Sequence, residues 1–184
     1  METSNAALKT TSLITGISIG AAIFLIYILL SSISILNKKG LDLLSSASYN
    51  EAIRYFNKAL AIDPNNANIL DNKGYALLQL GKYNEAITYL DKALAIELDH
   101  VSALKDKSQA LLQLGNDSHA IGYFDKVLAI RPNDTDTLNS KEPALFDLGK
   151  YSEAMGNYDK ALAIEPKDAT LLDNKQKILD VLGK

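Results

Sequence analysis

The sequence predicts an all-α chain, a solenoid of antiparallel helix pairs preceded by a single transmembrane helix. Three observations predict it. A residue pattern recurs every 34 residues, as from Lys39 to Lys73 and from Ala52 to Ala86. Inside each unit, apolar residues fall at helical spacing on both sides of a short turn. Ahead of the repeats, no charged side chain occurs from Thr10 to Asn37.

The elements follow in order. Residues 1–12 read as a short N-terminal tail and Leu13–Leu36, rich in Ile, Leu, Ala and Phe, as the transmembrane helix. About 20 apolar residues span a bilayer core, and this run is long enough. A cleaved signal peptide, cut near Ser34, is the competing reading. The run exceeds the roughly 7–15 apolar residues of a signal sequence, and Lys9 is offset by Glu2, so a retained anchor is favoured. Lys9 stands alone before the run whereas Lys38, Lys39 and Arg54 follow it, which predicts repeats on the cytoplasmic side. Gly16 and Gly20 form a G-x-x-x-G step that lets membrane helices approach, so homodimerisation through this segment is a candidate. With no Pro or Gly between Ala21 and Lys39, span and first repeat are expected to share one helix.

The repeats are Ile33–Asn66, Ala67–His100, Val101–Asp134 and Thr135–Asp168, with Ala169–Lys184 repeating a first half as a capping helix. The clearest copy carries Lys73-Gly74, Ala76-Leu77-Leu78, Leu80-Gly81, Tyr83, Glu85-Ala86, Leu90 and Lys92-Ala93-Leu94. Gly74 and Ala86 are small where two helix axes should meet, and Asp63-Pro64-Asn65-Asn66 has the composition of a turn between pairs. This period and pattern resemble the tetratricopeptide repeat (TPR). The resemblance covers the chain from residue 33 onward and implies a TPR α-solenoid with a concave groove lined by the first helix of each unit.

Departures from the pattern concentrate late in the chain. The Gly40/Gly74 column becomes Ser108, Glu142 and Gln176, and Pro143 follows Glu142 inside the fourth first helix. Asp117 replaces the aromatic of Tyr49, Tyr83 and Tyr151, and Leu98 replaces the turn proline. The third and fourth repeats should therefore be the least regular. Lys39, Lys73, Lys107, Lys141 and Lys175 recur once per unit. Each alkyl stem is expected to pack on a neighbouring helix with its ammonium reaching outward, a ladder for an anionic ligand or lipid being the alternative.

Nineteen basic and twenty-two acidic residues leave a net charge of −3, which does not favour a nucleic-acid partner. There is no cysteine, and neither His100 nor His119 has a second ligand at metal spacing. No phosphate loop or nucleophile–base grouping stands out, and Asp134 with Asp136 reads as turn capping. The reading is a non-catalytic scaffold with no cofactor and no metal. The two Asn-x-Ser/Thr sites, at Asn116 and Asn133, read as turn residues.

By the resemblance, the groove residues are Asn68, Asp71, Tyr75, Leu78 and Gln79, then Ser102, Lys105, Gln109, Leu112 and Gln113, then Asp136, Asn139, Phe146 and Asp147. TPR co-chaperones clamp a terminal carboxylate with basic groups on these faces. The matching positions here are Asn37, Leu41, Asn72, Ser102 and Asp106, so that basic clamp is missing. The expected partner is a protein or peptide segment held by apolar contact on Tyr75, Leu78, Leu112 and Phe146. A secreted binding protein and a structural accessory subunit of a membrane enzyme complex are the alternatives.

Overall fold

The computed structural model describes residues 2–183, with side chains from residue 19 onward. Among the described residues there are nine helices and no strand: α1 Glu2–Ser45, α2 Tyr49–Ile62, α3 Ala67–Gln79, α4 Tyr83–Ile96, α5 Val101–Gln113, α6 Asp117–Ile130, α7 Thr135–Asp147, α8 Tyr151–Ile164 and α9 Ala169–Val181. Each helix packs on the next, and α3 also touches α1 and α5, as α5 touches α7. Among the described residues the second helices of adjacent repeats make no comparable pairing. The first helices therefore form an inner layer and the second helices splay, which curves the stack around the first-helix face.

Local chemistry sets each boundary. The last residue of a repeat caps the next first helix: Asn66 Oδ1 accepts from Ile69 N, Asp134 Oδ1 from Thr137 N and Asp168 Oδ1 from Leu171 N. His100 does the same with Nδ1, so its Nε2 carries the proton and donates to Asn68 Oδ1 at 3.1 Å. First helices end on glycines in the left-handed region, Gly81 at φ 72° and Gly115 at φ 69° among them. At Gly81 the following Lys82 N–H reaches back to Leu77 O at 2.9 Å, closing the helix end. The first repeat lacks that glycine, and Ala47 adopts φ 55° in its place.

The helix pairs close where the small column meets a large side chain. A Cβ on Gly74 would lie 2.7 Å from Leu90 Cδ2, and one on Gly40 would strike the ring of Phe56. Leu90 and Phe56 are fully buried as a result. Burial of each such side chain is worth about 2–3 kcal/mol. Ser108 fits the column because its hydroxyl donates to Leu104 O at 2.7 Å. Gln176 escapes outward and donates to Asp180 Oδ1 at 2.9 Å. Glu142 does neither and is buried. Pro143 does not break α7, which continues to Asp147.

The repeated lysine is neither a free ladder nor simply extended into solvent. Lys73 donates to Asn57 Oδ1 at 2.5 Å, Lys141 to Asp125 Oδ1 at 2.8 Å and Lys175 to Asp159 Oδ1 at 2.5 Å, and Lys107 pairs with Asp91. Each bond joins a first helix to the second helix of the preceding repeat, so the column stitches neighbouring repeats. Lys73 and Lys107 also sit over the rings of Tyr89 and Tyr123, at 3.7 and 4.1 Å from their centroids. Lys39 has no such upstream helix to meet and is exposed.

Helix α1 does two jobs along one axis. Its C-terminal part is the first helix of repeat one, where Ile33, Leu36, Leu43 and Leu44 pack on Ala52, Phe56 and Ala59 of α2. Upstream, Ile19–Ser45 is long and apolar enough to cross a membrane, with mean hydropathy 2.5, and none of its most apolar window is buried. Ile23, Phe24, Leu25 and Tyr27 are each more than half exposed. The helix begins at Glu2, so the segment expected as a tail is helical from its second residue. Gly20 has open space around it, whereas Gly16, its partner in the expected packing step, lies outside the residues with described side chains.

Candidate peptide groove

The inner face is built from α1, α3, α5, α7 and α9, the last four each capped and stitched as above. It divides into two open pockets with an acidic centre between them. The first, about 450 Å³, is lined by Leu30, Ile33, Asn37, Leu41, Asn68 and Asn72 among others. The second, about 430 Å³, lies across α5, α7 and α9, with Tyr158 of α8 in its wall. Amide pairs bridge successive first helices at both ends, Asn72 Nδ2 donating to Asn37 Oδ1 at 3.2 Å and Asn174 Nδ2 to Asn139 Oδ1 at 3.3 Å.

Several expected groove residues are open. Asn68, Tyr75, Gln79, Gln113 and Phe146 are exposed, and Lys105, Gln109, Leu112 and Asn139 are half-buried. Gln109, Leu112, Asn139 and Phe146 meet in the second pocket. Two assignments are corrected. Asp71 and Leu78, expected to face the groove, are 6% and 7% exposed. They lie one helical turn before and after Tyr75, on the side of that stripe that points towards α5, where Leu78 packs with Ala103, Leu104 and Ala110. Lys105 is half-buried but engaged, its ammonium meeting both oxygens of Asp134 at 2.9 and 3.1 Å.

Between α3 and α5, behind the middle of the face, lies a carboxyl pair. Burial pushes Asp71 up to about 7, helped by the nearby charge of Asp106. Burial also raises Asp106 to about 7, against the opposing pull of Lys105. Asp71 Oδ2 is 3.9 Å from His100 Nδ1, and its Oδ1 has no hydrogen-bond partner among the described residues. Burial and the neighbouring Tyr49 and Asp106 raise the Tyr75 hydroxyl as well. No three potential metal ligands converge among the described residues.

Sequence reasoning passed over Tyr158, Asn174, Lys177 and Ile178, all of which line the second pocket. Tyr158 and Ile178 belong to columns that are core in the neighbouring repeats and are buried here too, so only the anomaly at Glu142 signalled a pocket beside them. Asp106 was visible as a clamp position, but its pairing with Asp71 required the phase of both helices.

Two tetratricopeptide-repeat family profiles match the chain, one over residues 31–96 and one over residues 72–135. A comparison with curated protein sequences finds no match. Among solved structures, the fold is similar to residues 41-end of MamA from Desulfovibrio magneticus RS-1, at 22% identity over 83% of this chain and 86% of that one, with a TM-score of 0.77. A second MamA crystal structure aligns at 21% identity over 83% of both chains, with a TM-score of 0.75. The first TPR of Spaghetti (RPAP3), bound to an HSP90 peptide, aligns at 24% identity over 65% of this chain and 97% of that one, with a TM-score of 0.63. Period, small-residue columns, helix pairing and these likenesses agree: the repeats of this chain are tetratricopeptide repeats, and its fold is a TPR α-solenoid.

Proposed function

We propose that this chain is a non-catalytic, membrane-anchored adaptor that holds a segment of a partner protein on its concave face. The observation that carries the reading is the pairing of two open pockets on the inner layer with an unburied apolar helix continuous with that layer. A protein of similar fold, the first TPR of Spaghetti (RPAP3), is bound to an HSP90 peptide, which supports reading this chain as a peptide binder. The acidic tail of a chaperone is a poor fit here. Asn37, Leu41, Asn72, Ser102 and Asp106 offer no cation, and Lys105 is already spent on Asp134. A neutral or basic segment suits half-buried Asp106 on this face, with Tyr75, Leu112 and Phe146 giving apolar purchase.

Retention of the apolar helix is supported by Ile33 and Leu36, which flank Ser34 and pack into the first repeat. The basic residues Lys38, Lys39 and Arg54 favour repeats on the cytoplasmic side. The test has two parts. Photo-crosslinking groups placed at Tyr75 and at Phe146 should capture the same partner, and groups at exposed Ser118 of α6 should not. The full chain should remain in the membrane pellet through high-salt and alkaline washes. Equal capture from α6 would remove the groove reading, and a soluble chain beginning near Ile35 would replace the anchored adaptor with a secreted binding protein.

A further inference from the structure

The pocket across α5, α7 and α9 has a feature that a merely apolar groove would not have. Glu142 lines it and is 3% exposed, and neither carboxylate oxygen has a hydrogen-bond partner among the described residues. An isolated buried carboxyl costs several kcal/mol unless a cation or donor meets it, so it is retained at a loss unless something enters. The cations nearby are already committed. Lys141 is held by Asp125 at 2.8 Å and Glu153 at 2.7 Å, and Lys177, at the pocket edge, by Asp173 at 2.7 Å. Asn157 of α8 stands beside Glu142 and partly favours its charged form, but the two groups do not meet in hydrogen-bond geometry.

The remaining walls suit one ligand chemistry. Phe146 and Tyr158 supply aromatic rings, Leu112, Pro143 and Ile178 supply apolar surface, and Gln109, Asn139 and Asn174 supply amides. A carboxyl covered in the wall of an aromatic and aliphatic pocket, and reached by a turn of its own side chain, matches a flat or compact cation carried on an alkyl stem. A volume of about 430 Å³ leaves room for one long side chain rather than a folded element.

We propose that this pocket receives an arginine side chain of the bound segment, with Glu142 as its counter-ion and Phe146 and Tyr158 as the walls along its stem. The proposal rests on the concave face being the peptide-binding face, and it specifies a basic residue at one register of the partner. Arginine is favoured over lysine because its planar fork satisfies both oxygens at once. Empty, the site holds Glu142 protonated, since burial raises it to about 8. Guanidinium entry then expels that proton, leaving a carboxylate paired with the incoming cation, so charge and proton both balance.

The test uses the full chain in an uncharged detergent and N-acetyl-arginine amide as the probe. Titration should shift the methyl resonance of Ile178, and the neutral citrulline analogue should not. Calorimetry at pH 7 in buffers of different ionisation heat should show release of about one proton per site. Glu142→Gln should weaken arginine-probe binding at least about tenfold and abolish the proton release. That variant replaces a buried neutral carboxyl with an amide of nearly the same shape, so it is expected to fold, and an unchanged Ile121 methyl resonance would verify it. An absent Ile178 shift, an equal response to citrulline, or unweakened binding by Glu142→Gln would overturn the proposal. Crosslinking from Tyr75 would still stand in any of those cases, which separates failure of this pocket from failure of the groove.

Discussion

At the scale of single residues, two positions carry costs that the rest of the fold absorbs. Ala47 occupies the left-handed region at φ 55°, where the equivalent positions are Gly81, Gly115 and Gly149. A residue with a Cβ loses about 1–2 kcal/mol there. Ala47→Gly should therefore raise stability by about 1 kcal/mol after the added freedom of the unfolded chain is deducted, read as an increased denaturant midpoint. Glu142 is the second. Its folded-state value of about 8 lies above the ordinary 4.5, because burial disfavours the charged form, Glu153 adds to that, and Asn157 and Lys141 do not offset it. Between those values the folded chain holds a proton that the unfolded chain has released. Stability from this group is thus full below about pH 4.5, falls as pH rises towards 8 and levels beyond it. Thermal melts from pH 5 to 8 should show a smaller decline for Glu142→Gln than for the natural chain. The glycine at each helix end was legible in the sequence because only backbone freedom explains it. The state of Glu142 was not. A carboxylate in a glycine column can swing out, as the amide of Gln176 does, or stay in, and that choice depends on what α8 and α9 leave open.

At the scale of the helix, what decides stability is how closely two axes approach. Gly74→Ala would bring a methyl within 2.7 Å of both Cδ2 and Cγ of Leu90, which is fully buried and would have to shift. Such overpacking costs about 1–3 kcal/mol, and the lowered melting temperature of Gly74→Ala would measure it. The same substitution at exposed Gly122, with open space around it, should be neutral or mildly stabilising. Helix α7 contains the opposite defect. Pro143 removes one backbone donor, and Pro143→Ala should add about 2 kcal/mol and slow amide exchange in the last turn of α7. Repeat period, pairing and turns were readable from spacing alone, because each is a local rule repeated several times. Helix phase was less so. Asp71 and Leu78 share a face, but whether it looks into the groove or at α5 depends on the tilt between repeats, which no single unit encodes. The lysine column shows the same limit. Its recurrence was plain, while its partners Asn57, Asp91, Asp125 and Asp159 lie one helix upstream and emerge only when repeats stack.

At the scale of the whole molecule, the proposed anchor predicts that charge beside the apolar helix sets which side the repeats face. Lys38→Glu with Lys39→Glu, combined with two lysines added before Leu13, should reverse that side. Protease added to sealed cells should then reach repeats that it spares in the natural chain. Repeats protected equally in both chains would mean that flanking charge does not set the topology.

Because α1 runs unbroken from Glu2 to Ser45, about 66 Å of helix, the apolar segment and the inner layer turn as one body. The groove therefore has a compass bearing as well as a height. Each residue inserted between Leu30 and Ile33 would lift the stack by about 1.5 Å and swing its open face by about 100° around the helix axis. A single insertion would point the groove away from a partner fixed beside it, and a fourth would bring it nearly back. Partner capture as a function of insertion number should consequently oscillate with the helical repeat rather than decay with length.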